Sequence, residues 1–342
     1  MTNTRFQNAL KREPQAVPPI WFMRQAGRYH AHYQNLRAKH SFMELCKDPS
    51  LAAQVTLGPI ADFDFDVAIL FSDLLFPLDA MGMGLSYESG PPTLSWHLND
   101  ATFGTLQDLA GLGDKLDFQQ QALLEIRRVL PDDKSLIGFI GGPWTLFAYA
   151  VEGGHKGGLK EAKRHLHLFS QFCEVIIPIL RRNIELQLEG GAEVVMIFDT
   201  AAGELAPTLY HQAVLPALAE LVSDFDQKVG YYAKGIVEAH LSHNVFEATT
   251  LAGLGVDHRW DLPQLFKNRS SGFVQGNFDQ DLLFLEPQAF EKQLLAYLST
   301  LIKLTPEERA GFVCGLGHGV LPQTPQENVR TFVQKTRELF SE

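Results

Sequence analysis

Short apolar runs alternate with longer amphipathic stretches along this chain. The short runs cover residues 20–23, 67–71, 136–140, 193–198, 229–233, 254–256, 273–274 and 312–316. They are rich in β-branched and aromatic residues and each stops at a polar or glycine-bearing segment, the pattern of buried strands. Between most of them lies room for a helix, as at 49–61, 118–129, 158–188 and 210–225. Strands alternating with helices predict a parallel sheet, and near-continuous apolar strands predict helices on its outside. Eight such units predict an α/β fold, a (β/α)8 TIM barrel, as a single domain over residues 1–342. The first, sixth and seventh runs carry the weakest strand pattern. A last helix is expected after Thr324-Pro325-Gln326-Glu327, read as an N-cap, a proline at the first helical position and a glutamate closing a capping box.

Composition narrows the class. The chain has 342 residues, 45% hydrophobic and 20% charged, ordinary values for a globular enzyme. The net charge of −11 argues against nucleic acid or an anionic membrane as a partner. It does not exclude an anionic small molecule, because a pocket can be locally basic. The three cysteines, Cys46, Cys173 and Cys314, are far apart and form no metal-type spacing, which predicts a reducing compartment without a disulfide framework. The N-terminal stretch lacks a signal-peptide core and no segment is long and apolar enough to span a bilayer, so a cytoplasmic protein is expected.

In such a barrel the chemistry sits where the strands end. The first run ends in Arg24, with Arg28 close behind; the second ends in Ser72-Asp73. The third leads into Gly141-Gly142-Pro143-Trp144 and then Tyr149. The others end in Asp199-Thr200, Lys234-Gly235, Asp257, Gln275-Gly276-Asn277-Phe278-Asp279 and Gly317-His318-Gly319. Two arginines at the first strand suit carboxylate binding through the guanidinium fork. Ordinary structural roles compete with these readings. Asp199 and Asp279 read as caps or turn residues. Thr200 reads equally well as a cap or as a site residue. Lys234 reads as solvated, Arg24 to Arg28 alone could be a surface loop, and His318 between glycines could simply be packed. Residue types and spacing alone therefore reach a barrel enzyme acting on an anionic substrate.

The longer motifs go further. Trp21-Phe22-Met23-Arg24-Gln25-Ala26-Gly27-Arg28-Tyr29 resembles the N-terminal signature of the uroporphyrinogen decarboxylase family. The stretch from Ile137 through Gly142-Pro143-Trp144-Thr145-Leu146 to Tyr149 and Val151-Glu152-Gly153-Gly154 is similar to the family's second signature. Ala68 to Asp73 resembles the segment carrying its central aspartate, and Ile197 to Thr200, Ala233 to Gly235, Gln275 to Asn277 and Leu316 to Gly319 recur in the family's order. The resemblance implies a homodimeric (β/α)8 barrel that uses neither metal nor organic cofactor. It implies loss of CO2 from the four acetates of uroporphyrinogen III, giving coproporphyrinogen III. It carries substrate binding to Arg24, Arg28 and Arg37, and pyrrole binding to Asp73. Active-site roles fall on Tyr149, Thr200 and His318, with Arg24 essential. Departures occur at His30-Ala31-His32, His258, Gln280 and Gly315, which concern loop conformation at the mouth.

The chemistry explains the missing cofactor motif. Losing CO2 from an acetate leaves an electron pair that needs a sink. A pyrrole protonated at a ring α-carbon supplies one. A carboxylate such as Asp73 would receive the pyrrole N–H groups and stabilise the ring cation. Arginine, with a pKa above ~12, is a weak acid, so the proton donor stays open among Arg24, Tyr149, His318 and a held water. Two other classes remain. Barrel relatives transfer methyl groups using zinc held by Cys and His, for which Cys314 with His318 and the pair His240 and His243 are the sequence candidates. His240 and His243 read instead as a solvated helix face. A non-catalytic porphyrin-binding protein is the third reading, and it predicts loss of the catalytic positions.

Overall fold

The computed structural model describes residues 2–87, 91–106, 111–154, 158–242, 244–247 and 250–341. Seven parallel strands form one sheet in chain order. They are β1 (Val67–Ile69), β2 (Ser135–Gly141), β3 (Val194–Phe198), β4 (Val229–Tyr232), β5 (Gly253–Gly255), β6 (Phe273–Phe278) and β7 (Phe312–Leu316). The expected strand at 20–23 shrinks to a single parallel bridge, Ile20 against Cys314. That bridge closes the ring. The Cys314 N–H donates to the Pro19 carbonyl at 2.9 Å, and the Asp66 N–H donates to the Ile20 carbonyl at 2.9 Å. Asp66, 1% exposed, locks the seam by accepting the Ile20 N–H at 2.8 Å while Asn3 and Arg5 hold its other oxygen. The strand ends early because Met23 and Arg24 turn away over the barrel mouth.

The period-two alternation of the strands sorts two cores. Val67, Ile69, Ile137, Val194, Met196, Phe198, Tyr232, Phe273 and Val313 point into the barrel. Their neighbours Ala68, Leu136, Val195, Ile197, Tyr231, Val274 and Cys314 point to the helices outside. The inner cluster includes Phe6 and Ala9, so the N-terminal helix Thr4–Lys11 plugs one end of the barrel, with Phe6 on Phe273 at 5.9 Å. The other end, where the strands finish, is left for chemistry.

Outside, helix α1 (Pro49–Phe63) starts on Asp48, whose carboxylate accepts the Leu51 N–H at 2.9 Å, with Pro49 at the first helical position. Helices α2 (Asp117–Val129) and α3 (Pro143–Glu152) follow. The expected helix 158–188 is broken into Lys160–Arg164, a 3-10 turn Leu166–Leu168, and α4 (Phe169–Glu189). Glu152 caps the first piece, its Oε1 taking the Glu161 and Ala162 N–H groups at 2.7 and 2.9 Å. The stretch 210–225 opens as a π turn over Tyr210–Val214 before α5 (Leu215–Val222). Pro216 lacks the N–H a regular α turn would use there. The helix α6 (Pro287–Ile302) and the last helix α7 (Gln326–Ser341) complete the layer. The capping box at Thr324 does not form among the described residues, and the Thr324 hydroxyl donates to the Leu321 carbonyl at 2.8 Å. No helix among the described residues is long and apolar enough to cross a membrane.

Gly315 shows how tight the seam is. A Cβ there would lie 2.5 Å from Gln275 Nε2 and 2.6 Å from the Trp21 carbonyl oxygen. A side chain at position 315 would meet both. Gly315→Ala should therefore cost about 1–3 kcal/mol of stability in urea unfolding. Gly104→Ala, with nothing within 4 Å of the added carbon, should leave the midpoint unchanged, and equal midpoints for the two variants would contradict the packing described.

Candidate active site

Arg24 occupies the mouth in a left-handed backbone conformation, φ +60°. This is costly for a residue with a side chain, and such strain persists only where surrounding bonds hold it. Here the Gln25 side chain accepts the Phe22 N–H at 3.2 Å and donates to the Val67 carbonyl at 3.1 Å, tying the turn to β1. The Val320 N–H donates to the Met23 carbonyl at 2.9 Å, tying it to the segment after β7. Gly319 then lets the arginine lie flat: a Cβ there would sit 2.6 Å from Arg24 Cδ.

Asp73 comes from the segment after β1. Its Oδ1 accepts the Leu75 N–H at 2.8 Å. Burial pushes its carboxyl above the ordinary carboxylate range, while the Leu75 N–H, the Tyr87 hydroxyl and the Arg24 charge pull it back down. Tyr149, half-exposed on α3, borders both Asp73 and Arg24, and burial raises its hydroxyl. Among the described residues, the Arg24 guanidinium makes no hydrogen bond or contact ion pair, although its charge is felt at Asp73, Tyr149 and Tyr232. A cation and a carboxylate thus face one space without neutralising each other.

A line of rings floors that space. Phe139 packs on Phe198 at 5.6 Å, Phe198 on Tyr232 at 6.1 Å, and Tyr232 stacks on His318 at 6.0 Å. The buried Tyr232 hydroxyl donates to the Gly317 carbonyl at 2.8 Å and meets His318 Nδ1 at 3.0 Å. His318 is therefore held by a partner as well as facing the mouth. Sequence reading missed Tyr232, because it looked at the residues following each run; strand alternation places Tyr232 inward. It also missed Tyr87, which follows a short hairpin strand outside the barrel.

The remaining candidates divide. Arg28 is exposed and its charge reaches Tyr33, as does that of Arg37. Arg37 spends one N–H on the His40 carbonyl at 2.6 Å and also engages the Tyr33 hydroxyl. Thr200 is half-exposed after β3, and its side chain makes no hydrogen bond among the described residues; it is not one of the groups that act on Asp73. Asp199 is structural: buried, it accepts the Thr145 N–H at 2.8 Å and hydroxyl at 2.7 Å, so it caps α3 across the sheet. Asp279 caps its own 3-10 turn through the Asp281 N–H at 3.0 Å. Asn277 ties β6 to the loop after β5, donating to the Asp257 and Trp260 carbonyls at 2.9 and 2.8 Å.

The histidine departures at 30 and 32 are structural too. His30 is fully buried against Asp62 at 2.6 Å, and His32 meets the Gln54 carbonyl at 2.9 Å. The zinc donors do not converge. Cys314 points outward to Thr336, its thiol pushed up to about 12 by burial, while His318 faces the mouth. His240 is not solvated, as the sequence suggested, but 3% exposed, with its ring nitrogens engaged by the Leu205 carbonyl and the Val237 N–H. His243 lies outside the described residues. A separate groove of about 620 Å³ lies between Trp260 and α6, away from this cluster.

The fold and the site define a parallel α/β barrel with an arginine and a half-buried carboxylate at its mouth that do not pair with each other. The chain matches the family model "Uroporphyrinogen decarboxylase (URO-D)" over residues 1–339. It is 34% identical to the uroporphyrinogen decarboxylase of Solibacter usitatus, over 98% of this chain and 97% of that one. It is 35% identical to that of Pelobacter propionicus, over 98% and 99%, and 36% identical to that of Ralstonia nicotianae, over 98% and 95%. The chain belongs to the uroporphyrinogen decarboxylase family. Among solved structures, a methyltransferase from Methanosarcina mazei superposes with a TM-score of 0.79, covering 99% of this chain and 98% of the other at 20% identity, a likeness of fold alone.

Asp199 yields a pH prediction. Burial pushes its carboxyl up to about 6 from an ordinary 3.8. A raised folded value means the stabilisation is complete below the unfolded value and lost as pH rises through the folded one. Relative to Asp199→Asn, the wild type should lose stability between about pH 4 and 6; parallel stability curves across that window would contradict it.

Proposed function

We propose that the protein is a uroporphyrinogen decarboxylase. It removes CO2 from the four acetates of uroporphyrinogen III and releases coproporphyrinogen III. The observation that carries this reading is the unpaired Arg24 and Asp73 at one barrel mouth, in a chain of this family.

Each turn begins with a proton on a pyrrole α-carbon, which makes the ring cationic. The C–C bond to the carboxylate then breaks, and its electron pair flows into the ring as CO2 leaves. Protonation of the exocyclic carbon and loss of the ring proton give a methyl group, with one proton consumed overall. Asp73 receives the pyrrole N–H groups and stabilises the cation. Its carboxylate has left water for a low-dielectric setting, which strengthens that attraction. Arg24, Arg28 and Arg37 grip substrate carboxylates. The rings of Phe139, Phe198 and Tyr232 offer a macrocycle an apolar face. Burial raises Tyr149, which makes it a hydrogen-bond donor to substrate rather than an acid. His318, or water held at Arg24, is left to move protons. Thr200 is assigned to substrate placement. The same reading makes the protein a cytoplasmic homodimer that needs neither metal nor organic cofactor, with the whole chain as one domain.

Purified protein incubated anaerobically with uroporphyrinogen III should yield the four-carboxylate product. Chelator dialysis should leave the rate unchanged. Arg24→Lys, which keeps the charge and loses the fork, should lower kcat/KM by about 100-fold. Recovery of unchanged eight-carboxylate substrate, or a rate restored only by zinc, would overturn the reading.

A further inference from the structure

Tyr87 is a buried group that nothing above has put to use. Its position is set by the fold. Leu85–Ser86 and Thr93–Leu94 form a two-stranded hairpin, with Ser86 opposite Thr93. Asp79 accepts the Leu85 N–H at 3.2 Å, and the Ser95 N–H donates to the Met83 carbonyl at 2.9 Å, so the hairpin is pinned at its base. The Tyr87 ring then packs at a tilt on Phe42 at 4.3 Å, and Phe42 stands edge-on against Phe71 at 5.7 Å, two residues before Asp73. This packing delivers the hydroxyl to Asp73.

The hydroxyl is sealed from solvent and has no hydrogen-bond partner of good geometry. A buried tyrosine hydroxyl without a partner is unusual, and its absence needs a reason. The groups around it are Asp73, the Cys46 thiol on the helix Phe42–Lys47, and the Tyr149 hydroxyl on α3; Arg24 completes the set facing Asp73. Of these, only Asp73 is an anion, and only one of its oxygens has a backbone donor.

We propose that Tyr87 is a positioning residue: its hydroxyl donates to the Asp73 carboxylate and, with the Leu75 N–H, fixes the plane in which that carboxylate receives the substrate's nitrogens. This deepens the decarboxylase reading and rests on it for its catalytic consequence, though not for the pairing itself. One donor on each side leaves the remaining lone pairs directed at the cavity. Donation to the charged form also keeps Asp73 ionised at lower pH than burial alone would allow.

The test is Tyr87→Phe, which keeps the ring and its packing on Phe42. In the substrate-free protein, carbon-13 NMR of labelled aspartate carboxyls reports the Asp73 titration, assigned by its loss in Asp73→Asn. Tyr87→Phe should move that titration to higher pH. The acid limb of the kcat/KM profile on uroporphyrinogen III should move the same way, with kcat lowered at least about tenfold and KM little changed. Fluorotyrosine at position 87, a stronger donor, should move the titration to lower pH, so a poorly folded phenylalanine variant does not rescue the idea. An Asp73 titration unmoved by either change overturns the pairing. A moved titration in a wild type that does not decarboxylate uroporphyrinogen keeps the pairing and sinks the function.

Discussion

An arginine and an aspartate that share a space without touching are the feature on which this site depends. Left alone, two such side chains would close into an ion pair and cancel. Here the backbone prevents it. Arg24 is held in a left-handed turn by Gln25 and by the strand-end segment at Val320, and it lies against Gly319. Asp73 is turned by its bond to the Leu75 N–H. Neither charge is spent on the other, so lone pairs of the carboxylate and the arginine fork stay available to an incoming partner, and the carboxylate's desolvation raises the value of that partner. The cost falls on the fold. It is offset by the seam at Ile20, Asp66 and Cys314 and by the plug of Phe6 and Ala9, far from the chemistry.

An acidic protein can therefore carry an anion-binding mouth. The net charge of −11 is spread over the whole chain, while Arg24, Arg28 and Arg37 come from one short segment after the first bridge. Beside them runs a row of rings ending in His318, which suits the apolar body of a flexible macrocycle whose carboxylates project at its rim. Charge and apolar surface together give both grip and orientation.

Much of this was legible in the chain. Continuous apolar runs marked the strands because parallel strands are buried on both faces, and the first two runs lead to Arg24 and Asp73, whose charges act on one another without contact. Asp199 and Asp279 read as caps, and both cap. What was hidden depends on contacts between distant segments. The run at 20–23 has strand composition, yet only Ile20 pairs, because the turn at Arg24 needs the following residues. Asp66 looks like a linker residue and proves to be the seam's lock, which no local pattern signals. His240 sits in a stretch read as solvated and is buried by the Leu205 loop. Thr324 has the spacing of a capping box, but no reciprocal bond with Glu327 forms among the described residues and its hydroxyl donates back to Leu321. Tyr87 belongs to a hairpin outside the strand-and-helix rhythm, so a search of strand ends passes over it.

The central claim is that negative charge at position 73 stabilises a transient ring cation rather than merely holding substrate. The most direct measurement is to separate binding from turnover in Asp73→Asn, using equilibrium titration with uroporphyrinogen III under reducing conditions and single-turnover release of CO2. The account predicts near-total loss of CO2 release with much of the binding retained. A variant that binds weakly yet releases CO2 at the wild-type rate once saturated would contradict it.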